Sequence, residues 1–309
     1  MTKRPAPLIV TRRRPPSLRA ATALLASAAL AACAANGTAD REAPAAGAAD
    51  AGPAAAQASA LPADAGTALA RLNASPRHGE WAVVRTGESD SVRAWVVYPE
   101  RATPAPVVLV VHEIYGVTHW IRSVADQLAA AGFIAIAPDL LTNADVPQDA
   151  TGEPERQAAT AAVRALARPD VHRQLRAVAD WGMQLPAATQ KYGIVGFCWG
   201  GSTSFVHAIE SGGVAAAVVY YGSSPDTAEL DRVSAPVLGL YGGDDARVNA
   251  TIPPADSALK ALGKTYEPHI FEGAGHGFLR QQDGQEGANL RASREAWPLT
   301  VAWFREYLE

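Results

Sequence analysis

Downstream of residue 80 the chain alternates short apolar runs with segments whose apolar positions recur every three or four residues. These are the marks of buried strands and of helices packed by one face. Residues 81–85 and 92–98 predict two strands joined by the polar turn Thr86-Gly87-Glu88-Ser89-Asp90. Residues 106–111 form an almost unbroken β-branched run, which predicts a strand buried on both faces of a parallel sheet. Thr118 is placed to cap a helix that runs to Ala131 and ends at Gly132, and residues 133–137 read as the next buried strand. Helices follow over 158–167 and 170–185, then a strand over 192–195, a helix over 202–211, and strands over 215–220 and 236–241. A helix over 256–262, a strand over 266–271 and a closing helix over 286–308 complete the pattern. Regular alternation of this kind predicts an α/β fold: a mostly parallel central sheet with helices on both faces. Chemistry in such folds collects beyond the carboxyl ends of the strands.

The amino-terminal quarter follows a different rule. Residues 1–32 hold six basic residues (Lys3, Arg4, Arg12, Arg13, Arg14 and Arg19), no acid, and an apolar run over 20–32. A basic start with a short apolar run is the pattern of a secretory signal peptide, and this run is too short to stay in a membrane as a spanning helix. It ends in Leu30-Ala31-Ala32-Cys33, which resembles the bacterial lipobox. The resemblance implies lipidation of Cys33 and anchoring to a membrane surface, with Ala34 pointing to the outer membrane and a domain facing the periplasm. Ordinary cleavage near the same alanines would instead release a soluble periplasmic protein. Residues 34–75 are rich in Ala, Gly and Pro and offer little to bury, so residues 33–76 are read as a flexible tether with a reach of roughly 35 Å. Residues 77–309 are then one domain long enough for a sizeable core.

The leader also changes the charge balance. The whole chain stands at −4, but without the six leader cations 21 basic residues face 31 acidic ones, a net of −10. An acidic exported chain with no Lys/Arg stripe is not built to bind nucleic acid. There are two cysteines. With Cys33 taken by the anchor, Cys198 has no intrachain partner and is an unpaired thiol in an oxidising compartment.

Cys198 sits in Gly196-Phe197-Cys198-Trp199-Gly200-Gly201, between a predicted strand and a predicted helix. Strand, Gly-x-Cys-x-Gly, helix is a nucleophile elbow with cysteine in place of serine. Glycines are needed there because the sharp reversal leaves no room for nearby side chains. The helix N-terminus is expected to favour a thiolate. A bare Gly-x-Cys-x-Gly is equally compatible with a small buried cysteine in an ordinary turn, so the rest of the chain must decide. Asp244 and Asp245 follow the strand over 236–241, and His276 follows the strand over 266–271 in Gly273-Ala274-Gly275-His276-Gly277-Phe278. Nucleophile, acid, histidine is the chain order of α/β-hydrolases. In that reading His276 handles the thiol's proton, while an aspartate fixes its tautomer. Asp245 is preferred over Asp244 on the pattern Gly242-x-x-Asp245-x-x-Val248.

After the strand over 106–111 comes His112-Glu113-Ile114-Tyr115-Gly116-Val117. With Pro138-Asp139-Leu140, the elbow, Asp245 and Gly275-His276-Gly277-Phe278, this makes residues 80–309 resemble the dienelactone hydrolase family of α/β-hydrolases. The resemblance implies Cys198 as nucleophile, Asp245 and His276 as the rest of the triad, and Glu113 as the acid that contacts the resting thiol and helps remove its proton. It further implies an oxyanion hole from the Ile114 and Trp199 amides, and Arg280 as a grip for a substrate carboxylate. A second carboxylate-binding arginine would be expected just after Asp139, where this chain reads Leu141-Thr142-Asn143-Ala144. The implied activity is cleavage of a small ester or enol-lactone through a thioester. A non-catalytic binding protein on the same fold and a thiol redox sensor are the alternatives; the intact set of three residues opposes the first and the missing resolving cysteine the second. No metal or other cofactor is expected, since His112, His119 and the other histidines lack ligand spacing. The expected partner is a small-molecule substrate, the only membrane contact is the anchor, and the expected state is a monomer.

Overall fold

The structure, a computed structural model, describes residues 61–309; the leader, Cys33 and residues 34–60 lie outside the described residues. Its strands are Gly79–Arg85 (β1), Ser91–Val97 (β2), Ala105–Val111 (β3), Ile134–Asp139 (β4), Ala188–Phe197 (β5), Ala216–Tyr220 (β6), Val237–Gly242 (β7) and Tyr266–Phe271 (β8). They form one sheet in the order β1-β2-β4-β3-β5-β6-β7-β8. β1 and β2 are antiparallel to their neighbours, and every pairing from β4 through β8 is parallel. All seven residues of β3 are buried, as its β-branched run requires of a strand covered on both faces. Val108 and Val110 feed one half of the core, and Val107, Leu109 and Val111 the other.

The helices are Ala68–Asn73 (α1), His119–Ala130 (α2), Arg156–Ala165 (α3), Arg168–Met183 (α4), Trp199–Glu210 (α5), Ala246–Asn249 (α6), Ile252–Ala261 (α7) and Ala288–Leu308 (α8). α2 and α8 pack on one face through Ile121, Val124, Leu128, Trp297 and Phe304. α4, α5 and α7 pack on the other through Val171, Leu175, Val178, Phe205, Ala208 and Leu259. α3 stands apart from both halves. Its Ala159 and Val163 join Leu141 in a small separate cluster, against which Ile114 and Trp199 pack.

Three element starts differ from the sequence expectation by three residues or more, each for a physical reason. α5 starts at Trp199, three residues early, because Gly200 and Gly201 are the residues small enough to form its first turn against neighbouring backbone. α7 starts at Ile252, since Pro253 and Pro254 occupy the first turn, where no intrahelical N–H is needed. β5 extends back to Ala188 through polar residues outside the buried run.

The larger correction concerns the tether. Residues 61–76, assigned to it by composition, are folded onto the domain. Leu61, Ala63 and Ala68 belong to the core, alanine being a residue that buries readily despite its weak apolar signal. α1 packs against α2. Asp126 of α2 holds the end of this arm, accepting from Ser75 Oγ at 2.5 Å and from Arg77 Nε and Nη2 at 3.0 and 2.5 Å. At its start, Ala65 N–H donates to Arg280 O at 2.9 Å, and Gln282 Nε2 donates to Pro62 O at 3.0 Å.

Candidate active site

Cys198 is where β5 becomes α5, with φ 56° and ψ −116°, a backbone state that side-chain-bearing residues rarely occupy. Packing enforces it. A β-carbon on Gly196 would collide with the carbonyl of Gly200, and one on Gly200 with the carbonyl oxygens of Val111 and His112. One on Gly201 would lie 2.5 Å from Tyr220 O. The Cys198 N–H donates to Tyr220 O at 3.0 Å, which pins the bend to β6.

Asp245 caps α6 just past β7, accepting from Val248 N–H at 3.4 Å. Its side chain is 8% exposed, and its Oδ2 lies 2.5 Å from His276 Nδ1. Asp244 is exposed and uses its N–H on Ala274 O, so the structure pairs the histidine with Asp245. With Nδ1 committed to the carboxylate, Nε2 is the His276 nitrogen left for proton exchange. The loop after β8 is held from α8: Gly275 N–H donates to Asn289 Oδ1 at 2.9 Å, and Asn289 Nδ2 donates to Gln281 O at 2.7 Å.

Glu113 follows β3 and is 5% exposed at the side chain. Arg280 Nε lies 2.8 Å from its Oε2 as an ion pair, without the alignment of a good hydrogen bond. Burial pushes the Glu113 carboxyl up to about 7, against the pull of the Arg280 and Arg156 charges. The Arg156 and Arg280 guanidinium carbons lie over the Tyr115 ring at 4.8 and 5.4 Å. Arg280 was expected to stand ready for a substrate; in the structure Glu113 is its ion-pair partner among the described residues.

The Cys198 thiol departs from expectation too. Burial, then the Glu113 charge, push it up to about 11, outweighing the Trp199 N–H and the charges of Arg247 and Arg280. A helix N-terminus contributes at most ~2 kcal/mol, which the desolvation of this partly buried thiolate and the Glu113 charge outweigh. The sulfur therefore rests as a thiol. At neutral pH a group of that acidity is ionised to about one part in 10⁴, so attack needs a base on hand. The Trp199 N–H faces the Cys198 sulfur, and Ile114, just past β3, packs with Trp199 against the small cluster on α3. Among the described residues neither backbone N–H has an acceptor, apart from the Cys198 sulfur for Trp199. His112 stacks on the Trp199 indole at 5.5 Å, and its Nδ1 lies 2.7 Å from the Glu113 carbonyl oxygen, a contact that requires Nδ1–H as the donor.

Sequence reasoning missed Tyr221, whose ring meets His276 edge-on at 5.1 Å, and Arg156, which approaches from α3 instead of the loop after Asp139. It also missed Asn289. A tyrosine at the end of an apolar strand reads as core, and Arg156 lies in a polar helix start with no motif around it. A cavity of about 170 Å³ beside Trp199, lined by Leu166, Val171, Thr203 and Val206, excludes Cys198 from its wall. The acid-base groups, and not this void, mark the site. Among the described residues no group of three His, Cys, Asp or Glu is arranged to hold a metal.

The sheet order, the elbow after β5 and an acid–histidine pair beyond β7 and β8 define an α/β-hydrolase. The sequence profile of the dienelactone hydrolase family matches residues 92–308. The chain belongs to that family and is a hydrolase of its ester- and lactone-cleaving kind. A carboxymethylenebutenolidase of Pseudomonas putida is 32% identical over 196 residues, covering 60% of this chain and 80% of the relative. The solved dienelactone hydrolase of Anabaena variabilis is 26% identical with a TM-score of 0.57, over 75% of this chain and 99% of that one. A dienelactone hydrolase-like promiscuous phosphotriesterase from metagenomic libraries, 22% identical over 75% of this chain and 98% of that one, shares the fold at a TM-score of 0.61.

Proposed function

We propose that the protein cleaves small, carboxylate-bearing esters or enol-lactones through a thioester on Cys198. The observation that carries this reading is the set of acid–base groups around the elbow: the buried Glu113, whose charge acts on the Cys198 thiol, and His276 held by Asp245 at 2.5 Å. Glu113 takes the thiol proton as Sγ adds to the substrate carbonyl carbon, and the Ile114 and Trp199 N–H groups receive the oxyanion. Collapse breaks the C–O bond, and the departing enolate or alkoxide takes up the proton held by Glu113. His276, oriented by Asp245, then removes a proton from water; hydroxide adds to the thioester, the C–S bond breaks, and the sulfur recovers its proton from His276. A raised thiol speaks against a redox sensor, which needs an accessible thiolate.

Two cations, Arg156 and Arg280, flank Tyr115 next to one carboxylate, which leaves a positive surplus for an anionic substrate. A substrate carboxylate drawn to Arg280 also competes with Glu113 and leaves it more basic. Arg156→Ala keeps the Glu113–Arg280 ion pair but also removes a charge that acts on Glu113, so the binding effect is read well above pH 7, where Glu113 is ionised in both enzymes. With a panel of carboxylated and neutral aryl esters and enol-lactones, the substitution should raise KM about tenfold for the carboxylated members and leave the neutral ones within about twofold. Equal changes across the panel would remove the anionic substrate class from the proposal.

The base role has a pH signature. Glu113 accepts a proton only when ionised, so kcat/KM should climb as pH rises through about 7 and fall away below it. Glu113→Gln should erase that rise and lower kcat/KM at pH 8 by roughly 10²-fold. A variant that keeps both the rate and the limb would assign proton removal elsewhere.

A further inference from the structure

Two residues with positive φ stand side by side at the carboxyl ends of neighbouring strands. Phe197 pairs with Tyr220 across β5 and β6, so Cys198 and Tyr221 are level with one another. Cys198 has φ 56° and Tyr221 φ 40°. The first bend has a use, to present the sulfur. The second holds a bulky aromatic residue in the left-handed region, where such residues are outliers that persist when the surroundings over-determine them. The ring is packed edge-on to Phe278 at 5.4 Å and tilted against Phe197 at 6.3 Å, besides its contact with His276. Its hydroxyl is buried and has no hydrogen-bond partner among the described residues. Tyr220, its neighbour, illustrates the ordinary arrangement, with its hydroxyl 2.7 Å from Thr300 Oγ1.

A buried O–H without an acceptor is unfavourable, and a strained backbone that holds it there points to an acceptor that arrives later. The charged and titratable groups facing this phenol are Glu113, the strongest, then Arg280, Cys198 and Tyr220, with His276 against the ring. Behind them, Arg156 acts on Glu113, Arg247 on Cys198, and Asp245 holds His276. Of these, only the Glu113 carboxylate and the Cys198 thiolate are anions that come free during turnover. At rest Glu113 is engaged by Arg280.

We propose that Tyr221 is a positioning residue: its hydroxyl donates to the Glu113 carboxylate once Glu113 leaves Arg280 and turns to the thiol. The proposal rests on the reading of Glu113 as the base. Tyr221 stays protonated throughout, burial and the Glu113 charge holding its phenol well above the usual range. Its part is to favour the ionised carboxylate in the substrate complex and to aim it.

The test is Tyr221→Phe, which keeps the ring and removes the O–H. Because the donor engages after substrate arrives, the acid limb of kcat should move up by about one pH unit, so that kcat at pH 7 falls about fivefold with KM within about twofold. The variant should therefore approach wild-type kcat at high pH. In the Glu113→Gln background the same substitution should change kcat by less than about twofold, since the acceptor is gone. A melting temperature close to wild type keeps folding out of the comparison. An equal loss at every pH, or full losses that multiply with Glu113→Gln, would overturn the assignment and leave Tyr221 as packing. The base reading itself fails separately, on a Glu113→Gln enzyme that keeps its kcat.

Discussion

Cys198→Ala should reduce hydrolysis of an aryl ester or enol-lactone by at least about 10⁴-fold while the protein folds as before. The magnitude follows from what is removed: without the sulfur there is no covalent intermediate, and the amides and cations can only assist direct attack by water. Removing one member of a nucleophile–base unit typically abolishes the benefit of the whole unit, so adding His276→Ala should cost little more. Intact-mass measurement of wild type mixed rapidly with a slow substrate should reveal a +acyl species that the alanine variant lacks. Fold should be indifferent to the change, because Cys198 is only partly buried and sheds one sulfur atom at a bend fixed by glycines on either side. Wild-type rates in Cys198→Ala would end the thioester mechanism, whatever the rest of the site does.

Gly200→Ala should be strongly destabilising, because the clash is with backbone at the top of the sheet. The new β-carbon meets two carbonyl oxygens, those of Val111 and His112, and backbone at the end of a fully buried strand cannot yield as a side-chain tip can. Overpacking of this kind destabilises by about 3 kcal/mol or more. The movement it forces runs directly to Glu113 and Ile114, one and two residues past His112. Chemical denaturation should register a lower midpoint, and activity should fall in the remaining folded protein. Gly212→Ala, where nothing lies within 4 Å of the added carbon, is the matched control and should be close to neutral. Equal stability of the two variants would mean that the backbone around Gly200 has room to spare and that crowding does not hold the elbow.

These two cases also indicate which features the sequence could reveal. The elbow was legible because its glycines answer to a local steric demand, and the order Cys198, Asp245, His276 because each residue directly follows a strand that its own apolar run announces. β3 was legible for the same reason: an apolar run with four valines in seven residues has few other uses. Asp245 over Asp244 was a matter of pattern, and the geometry gives it a cause, since one aspartate caps α6 toward His276 and the other faces water. What escaped were features made by contacts between distant segments. Arg280 taking Glu113 as its partner, Arg156 reaching Tyr115 from α3, and the 2.9 Å bond from Gly275 to Asn289 leave no local trace in composition or spacing. The thiol's resting state escaped because helix-end electrostatics can be read from a motif, whereas burial depends on every element packed around it. Residues 61–76 escaped because alanine-rich composition describes a tether and a close-packed arm equally well.

That arm bears on how the enzyme is handled at the bench. A fragment cut to begin at residue 77 would strip Leu61, Ala63 and Ala68 from the α2 surface, and would leave Gln282 and the Arg280 carbonyl facing solvent a few residues from His276. Recombinant boundaries and affinity tags therefore belong upstream of Leu61, and a fusion joined there pulls on the same stretch of polypeptide that braces the histidine loop.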